Sequence, residues 1–428
     1  MLPHRVLTGI TTTGTLHLGN YVGAIRPAVE ASRAPGVESF FFMADFHALI
    51  KCDDPDRVAH SSRAIAATWV AAGLDTERVT LYRQSDIPEI PELTWLLNCV
   101  TAKGLMNRAH AYKATVDASV AAGDEPDANV TMGLFSYPVL MAADILMFNA
   151  HRVPVGKDQV QHIEMARDVG QRFNHMFGQG RELFTLPEAQ VDAEMELLPG
   201  LDGRKMSKSY DNVIPLFEGG AQALKDAVAR IVTDSKLPGE PKDPQGQAIV
   251  TIYDAFATPE QRTAFRAALR GGLGWGEAKQ QLVALIDGQI GPMRDHYAEL
   301  MAHPEKLEAI LQAGAAKARA IAVPFLKTLR EAVGLRPYTN TATTAVAKTE
   351  KAALPVFKQY READGRFYFK LLSAGGELLL QSSGFEQGRE AGQWVARLKR
   401  EGWVADAPVQ REASEADIAA ALAAFQED

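Results

Sequence analysis

The sequence predicts an α/β protein: a Rossmann-like parallel sheet wrapped by helices, then an all-helical region, then a small ββα unit. Three observations carry this. Up to Asn212, strand-like and helix-like runs alternate at the spacing of βαβ units. Beyond Asn212 the strand-like runs almost cease. Near the C-terminus two short alternating runs precede one helical run.

RVLTGI (5–10) has the apolar character of a buried strand, and a Gly/Thr loop leads from it into a helix over about 16–34. SFFFMAD (39–45) is a continuous apolar run, the mark of a strand covered on both faces. Residues 54–74 carry Pro near the start and Gly near the end, which are helix start and stop signals. VTLYRQSD (79–86) predicts a third strand and PELTWLLNCVT (91–101) a helix. Parallel sheets of this kind bind ligands at the carboxyl ends of their strands, where the strand order reverses. Segments 219–234, 258–270, 274–301 and 304–334 follow as helices, with AIVTIYDAF (248–256) the one short strand-like run among them. PYTNTATTAVAKTEKAALP (337–355) has a linker's composition. GRFYFKLL and ELLLQSSG are the two alternating runs, and 386–402 is the closing helix. The expected organisation is a catalytic domain over 1–212, a helical domain over 213–336, a linker over 337–355 and a small domain over 356–428.

At 428 residues the chain exceeds a single ordinary core, and 46% hydrophobic with 23% charged residues is globular. No apolar run of about 18 residues stands out, so no membrane span is expected. The N-terminus enters a strand without the regions of a signal peptide, and Cys52 and Cys99 are the only cysteines, which together predict a reducing, cytoplasmic setting. A net charge of −8 excludes a uniformly basic surface but allows a local basic groove.

Two stretches ask for an anion. TTTGTLHLGN (11–20) links a strand to a helix. Thr11, Thr12 and Thr13 offer hydroxyls, Gly14 and Gly19 admit a close backbone approach, and the helix start favours negative charge. His17 can donate to a phosphate oxygen. LDGRKMSKSYDN (201–212) crowds Lys205, Lys208, Ser207 and Ser209 around Met206, in a segment that reads as mobile and without an apolar anchor. Its donors suit a polyphosphate whose charge shifts during reaction.

HLGN at 17–20 and KMSKS at 205–209 resemble the paired signatures of class I aminoacyl-tRNA synthetases. Asn20, where a second His is usual, resembles the tryptophan and tyrosine branch. SYPVLMAADIL (136–146) then looks like the specificity helix of tryptophanyl-tRNA synthetases. On that helix Tyr137, Met141 and Asp144 share one face, and a carboxylate on an apolar face is costly unless something donates to it. The resemblance implies that Asp144 accepts the indole N–H of tryptophan, with Tyr137, Met141, Val153, Val155 and Gly9 around the amino acid and Gln159 at its ammonium. It also implies ATP along Thr11–Thr13, Gly19, Asn20, Gly156, Lys157, Asp158, Leu198 and the Lys205–Ser209 loop, with His17, Lys205 and Lys208 catalytic. Asp158 and Gln161 form an expected capping pair at the next helix start.

The implied reaction is ATP- and Mg²⁺-dependent charging of tRNA(Trp) with L-tryptophan by a homodimer. No metal held by the protein is expected. Candidate RNA contacts are Lys225, Arg230, Lys236 and Lys242, and more weakly the cations of the last helix. Two other readings stay open at this point: a tyrosyl enzyme of the same branch, and a synthetase-like RNA- or nucleotide-binding regulator without charging activity. Thr11 departs from the family's usual Gln. By the resemblance, most bacterial members end near the position of Pro337, so the small C-terminal domain is extra.

Overall fold

The computed structural model describes residues 4–11, 14–191, 198–337 and 355–425. Thr12 and Thr13 therefore lie outside the described residues, as does nearly all of the expected linker. The chain divides into two compact units, Met1–Pro337 and Tyr338–Asp428.

In the first unit, β1 (His4–Thr11) leads through the HLGN turn into α1 (Leu18–Asn20), a π turn (Tyr21–Ile25) and α2 (Arg26–Ser32). Then come β2 (Val37–Ala44), α3 (Asp45–Ala48), α4 (Pro55–Ala71), β3 (Thr80–Arg83) and α5 (Glu89–Asn98). Asp54 caps α4 by accepting the N–H groups of Asp56 and Arg57, and Pro55 fills the first helical position. Next are α6 (Lys103–Met106), α7 (His110–Ala122), α8 (Met132–Met147), β4 (Arg152–Pro154), α9 (Val160–Phe177) and β5 (Glu188–Gln190). The sheet order is β3-β2-β1-β4-β5, all parallel. The order reverses between β1 and β4, so their carboxyl ends flank the crevice where such folds bind ligands.

The helices α10 (Gly220–Ala229), α11 (Ala248–Asp254), α12 (Pro259–Arg270), α13 (Trp275–Ala302) and α14 (Pro304–Ala332) follow. AIVTIYDAF is thus helical rather than a strand. Its β-branched residues match a strand by propensity, but Ile249, Val250, Ile252 and Tyr253 are buried in a helix-lined core, and packing overrides propensity. That core, on one side of the sheet, runs from Leu18 to Leu311 and mixes residues from before and after Asn212. The other side holds a second core around Phe40, Tyr82, Phe148 and Phe173.

α14 is long and apolar enough to cross a membrane. Its apolar positions are used inside the protein: Leu307 and Leu311 join the first core, and Ala315, Ala318, Ala322, Leu326 and Leu329 the second. A Cβ at Gly314 would lie 1.7 Å from the Leu81 carbonyl oxygen, so glycine lets α14 lie directly on β3.

The second unit is larger than the expected ββα. Strands β6 (Val356–Arg361), β7 (Phe367–Leu372), β8 (Leu378–Ser382) and β9 (Val409–Arg411) form an antiparallel sheet in that order. Helices α15 (Gly388–Glu401) and α16 (Glu415–Ala423) cover one face, over Phe369, Leu371 and Leu380.

Candidate functional site

Two cavities open at the carboxyl ends of β1 and β4. The first is a slot of about 370 Å³ lined by Leu7, Gly9 and Thr11 of β1, Phe42 and Ala44 of β2, His47, Tyr137, Met141, Asp144 and Ile145 of α3 and α8, and Val153–Gly156 with Gln159. All seven residues expected around an amino acid are here. A Cβ at Gly9 would meet the Phe42 ring at 2.5 Å, so the slot at this point exists only because residue 9 has no side chain.

Asp144 closes the slot and is fully buried. The sequence suggests a lone acceptor, whereas the structure provides two protein donors. Gln84 Nε2 donates to both carboxylate oxygens, at 2.8 and 2.9 Å, and His47 Nε2 lies 3.0 Å from Oδ2. Without donors a carboxylate could not be held ionised at this depth. Burial pushes its pKa up, and the bonds from His47 and Gln84 oppose the rise. A carboxylate has about four acceptor positions, so one more donor can still be accommodated.

Elsewhere around the slot, Tyr137 Oη is 2.7 Å from His162 Nε2, His162 Nδ1 is 3.0 Å from Gln159 Oε1, and Gln159 Nε2 donates to Asp158 at 2.8 Å. Asp158 fixes the amide nitrogen end of Gln159, so Oε1 accepts from His162 Nδ1–H. Burial, the leading cause, holds the His162 pKa below its ordinary value. The neutral ring then accepts the Tyr137 hydroxyl proton at Nε2. This chain replaces the expected capping pair. Gln161 instead accepts from the His110 N–H and donates to the Arg108 carbonyl.

The second cavity, about 540 Å³, is lined by Ile10, Thr11, Gly14, Leu16, His17, Gly19, Asn20, Gly156, Leu198 and Lys205–Lys208, with Gly23 and Ala24. Thr11 and Gly156 line both cavities. Asn20 accepts the His17 N–H at 3.1 Å and so closes the first turn of α1. His17 Nδ1 is buried with no partner among the described residues. Its pKa is lowered from 6.5 to about 4, first by burial and then by Lys208. A neutral imidazole at pH 7 follows.

Gly14 has φ +150°, and a Cβ there would sit 2.9 Å from Lys208 Nζ. Its missing side chain therefore gives the ammonium access to the loop backbone. The Lys208 pKa is lowered, mainly by lost hydration and next by Arg57.

A short antiparallel bridge joins the HLGN turn to residues 214–216, just downstream of the KMSKS loop. Leu18 N–H donates to the Ile214 carbonyl at 2.9 Å, and Leu216 N–H to that of Leu16 at 3.3 Å. The KMSKS loop is also not unanchored. Met206 is buried beside Leu198 and Leu201. Asn212, 2% exposed, accepts the Ser207 N–H at 2.8 Å and donates to Asp202 at 2.7 Å and the Lys205 carbonyl at 3.1 Å. The base of the loop is fixed, and Lys205 stands exposed at the rim.

Lys157 and Asp158 are exposed and line neither cavity. The Ser209 side chain lies outside what is described. Lys242 cannot meet RNA in this structure: it is 1% exposed and its ammonium donates to the Leu237 and Glu240 carbonyls. Sequence reasoning passed over His47, Gln84, Phe42 and Asn212. The first two lie three residues and one residue past the ends of β2 and β3, which is the signal that could have found them.

Residues 2–286 match the family model for class I tRNA synthetases of the W and Y group. The chain is 62% identical to a tryptophan–tRNA ligase of Pseudomonas putida over 95% of its own length and 90% of the relative's. It is 58% identical to one of Xanthomonas axonopodis over 98% and 97%. Among solved structures, 77% of the chain covers all of the tryptophanyl-tRNA synthetase of Campylobacter jejuni complexed with ADP and tryptophan, at 40% identity and a TM-score of 0.71. The chain belongs to the class I tRNA synthetases of the tryptophan and tyrosine group, on their tryptophan–tRNA ligase branch.

Proposed function

We propose that this protein activates L-tryptophan with ATP and transfers it to the 3′ end of tRNA(Trp). One relationship carries the reading: an apolar slot ending on Asp144 opens, at Thr11 and Gly156, into the cleft between HLGN and KMSKS. An amino acid whose ring fills the slot has its carboxylate at that shared mouth, next to the phosphates of a nucleotide in the cleft.

In the first step a tryptophan carboxylate oxygen attacks the α-phosphorus of ATP, and the bond to pyrophosphate breaks. In the second, the 2′- or 3′-hydroxyl of the terminal adenosine attacks the mixed anhydride's carbonyl, and AMP leaves. Positioning and charge stabilisation do most of this work. Asp144 takes the indole N–H, and the Tyr137–His162–Gln159–Asp158 chain orients Gln159 for the ammonium. Neutral His17 donates to phosphate, while Lys208 and Lys205 neutralise the leaving pyrophosphate. No carboxylate lines the phosphate cleft among the described residues. Mg²⁺ therefore enters as part of the ATP complex, which suits an ion usually shared with substrate phosphates.

The helices of 213–336 recognise the tRNA, with Lys225, Arg230 and Lys236 the exposed candidates, and the enzyme acts in the cytoplasm as a homodimer. The test is ATP–pyrophosphate exchange with each aromatic amino acid, followed by tRNA charging. Exchange stimulated by tryptophan, with charging of tRNA(Trp), is expected. Stimulation by tyrosine instead, or ATP binding without charging, would overturn the reading.

A further inference from the structure

The C-terminal sheet has one face covered by α15 and α16 and one face without a cover in its own unit. Strand alternation puts Phe357, Phe369, Leu371 and Leu380 toward the helices. The alternate residues form the other face. Lys358, Lys370, Gln381 and Gln410 pair in one row across all four strands, and Tyr360 pairs with Tyr368 beside that row.

This face has the wrong chemistry for plain solvent. Two lysines stand directly opposite each other, a destabilising cross-strand pair. Among the described residues neither forms an ion pair, whereas Arg397 and Arg400 of α15 pair with Glu401 and Arg411 of β9 with Glu415. The four strands contain Lys358, Arg361, Lys370 and Arg411 and no acidic residue. The Tyr360 and Tyr368 rings stack at 5.7 Å, Lys370 Nζ lies 5.3 Å from the Tyr360 ring centroid, and Asp364 in the β6–β7 turn fixes the Tyr368 hydroxyl at 2.6 Å.

We propose that this face binds unpaired nucleotides of RNA. Rings on a sheet give bases a stacking surface, adjacent lysines take the backbone phosphates, and glutamines offer both donors and acceptors to base edges. A bound phosphate relieves the repulsion between Lys358 and Lys370. The RNA contact of this unit then lies on the sheet and not on α15, where Arg397 and Arg400 are paired with Glu401.

The test is fluorescence anisotropy of a labelled 12-nucleotide oligouridylate with the full chain. Tyr360→Ala/Tyr368→Ala should weaken binding about tenfold or more, at 1–3 kcal/mol per stacked base. Tyr360→Phe/Tyr368→Phe should retain it, which separates stacking from loss of fold. Lys358→Ala/Lys370→Ala should flatten the slope of log K against log[salt] by about 1.4, at roughly 0.7 per phosphate. Tryptophan-dependent pyrophosphate exchange should stay unchanged in all three, so failure of the proposed activity is read separately. Unchanged RNA affinity in the alanine variants, or equal affinity for duplex RNA of the same length, would overturn the proposal.

Discussion

Gln84 holds Asp144 in a two-pronged grip, its amide nitrogen 2.8 and 2.9 Å from the two carboxylate oxygens. The pair lies 60 residues apart in sequence, just past the end of β3 and in the last turn of α8, and both residues are fully buried. The carboxylate at the end of the slot is therefore aimed by a neutral donor, which fixes its direction without cancelling its charge.

Replacing Gln84 by Met keeps most of the volume and removes the donor. A buried group stripped of its partner costs about 1–3 kcal/mol. The expected result is a roughly 10- to 100-fold rise in the KM for tryptophan in pyrophosphate exchange, with the KM for ATP nearly unchanged. Asp144→Asn should go further and erode the preference for tryptophan over tyrosine, since the indole N–H loses its charged acceptor. Unaltered preference among aromatic amino acids would remove Asp144 from the specificity role.

His17 ties the cleft between HLGN and KMSKS to pH. Its folded pKa of about 4 lies below the ordinary 6.5. Between these values the unfolded chain binds more protons than the native one, so stability rises with pH. The contribution is complete above pH 6.5 and is lost as pH falls toward 4. It amounts to about 3 kcal/mol, at 1.36 kcal/mol per pH unit. His17→Asn should flatten the urea midpoint between pH 4.5 and 6.5 relative to the parent chain. A parent and variant with parallel pH profiles would contradict the burial argument.

Asn212 ties three points of the KMSKS loop together, and Gly200 leaves room for it: a Cβ there would come within 2.4 Å of the Asn212 amide. Asn212→Ala frees the Ser207 N–H and the Asp202 carboxylate. Faster trypsin cleavage between Arg204 and Lys208 is expected, with kcat for exchange falling about 10- to 100-fold and tryptophan KM within twofold. A loss confined to tryptophan KM would show that Asn212 does not act through the lysines.

Much of this was legible in the sequence for a physical reason. Apolar runs buried on both faces, as in SFFFMAD, cannot be anything but sheet interior in a chain that alternates with amphipathic helices. The polar signatures were legible because few other sites need a hydroxyl, a histidine and two lysines on glycine-rich turns. What escaped was set by long-range packing. Gln84 and His47 are ordinary polar residues in sequence and gain meaning only beside Asp144. Met206 looked like an isolated apolar residue, yet its core neighbours include Leu198, eight positions earlier. The same limit explains AIVTIYDAF, where neighbours and not propensity chose the helix. It also explains β6, β9 and α16, which are too short or too polar to announce themselves.

Gly9 and Phe42 face each other across the β1–β2 pairing, where they are register partners. A methyl group added at residue 9 would lie 2.5 Å from the Phe42 ring, so Gly9→Ala must displace the ring into the slot or push the strands apart. Overpacking of this kind costs about 1–3 kcal/mol. Most of the cost should appear as weaker tryptophan binding, with KM up about 10-fold or more, because the ring's free side is the cavity. Phe42→Ala alone enlarges the slot and should also weaken tryptophan binding, through lost apolar contact. If the two residues act through one contact, the double variant recovers part of what Gly9→Ala loses, since the methyl then has room. The cycle should show a favourable coupling of roughly 0.5–3 kcal/mol in tryptophan binding. Strict additivity would mean that Gly9 is required by the strand and not by the ligand.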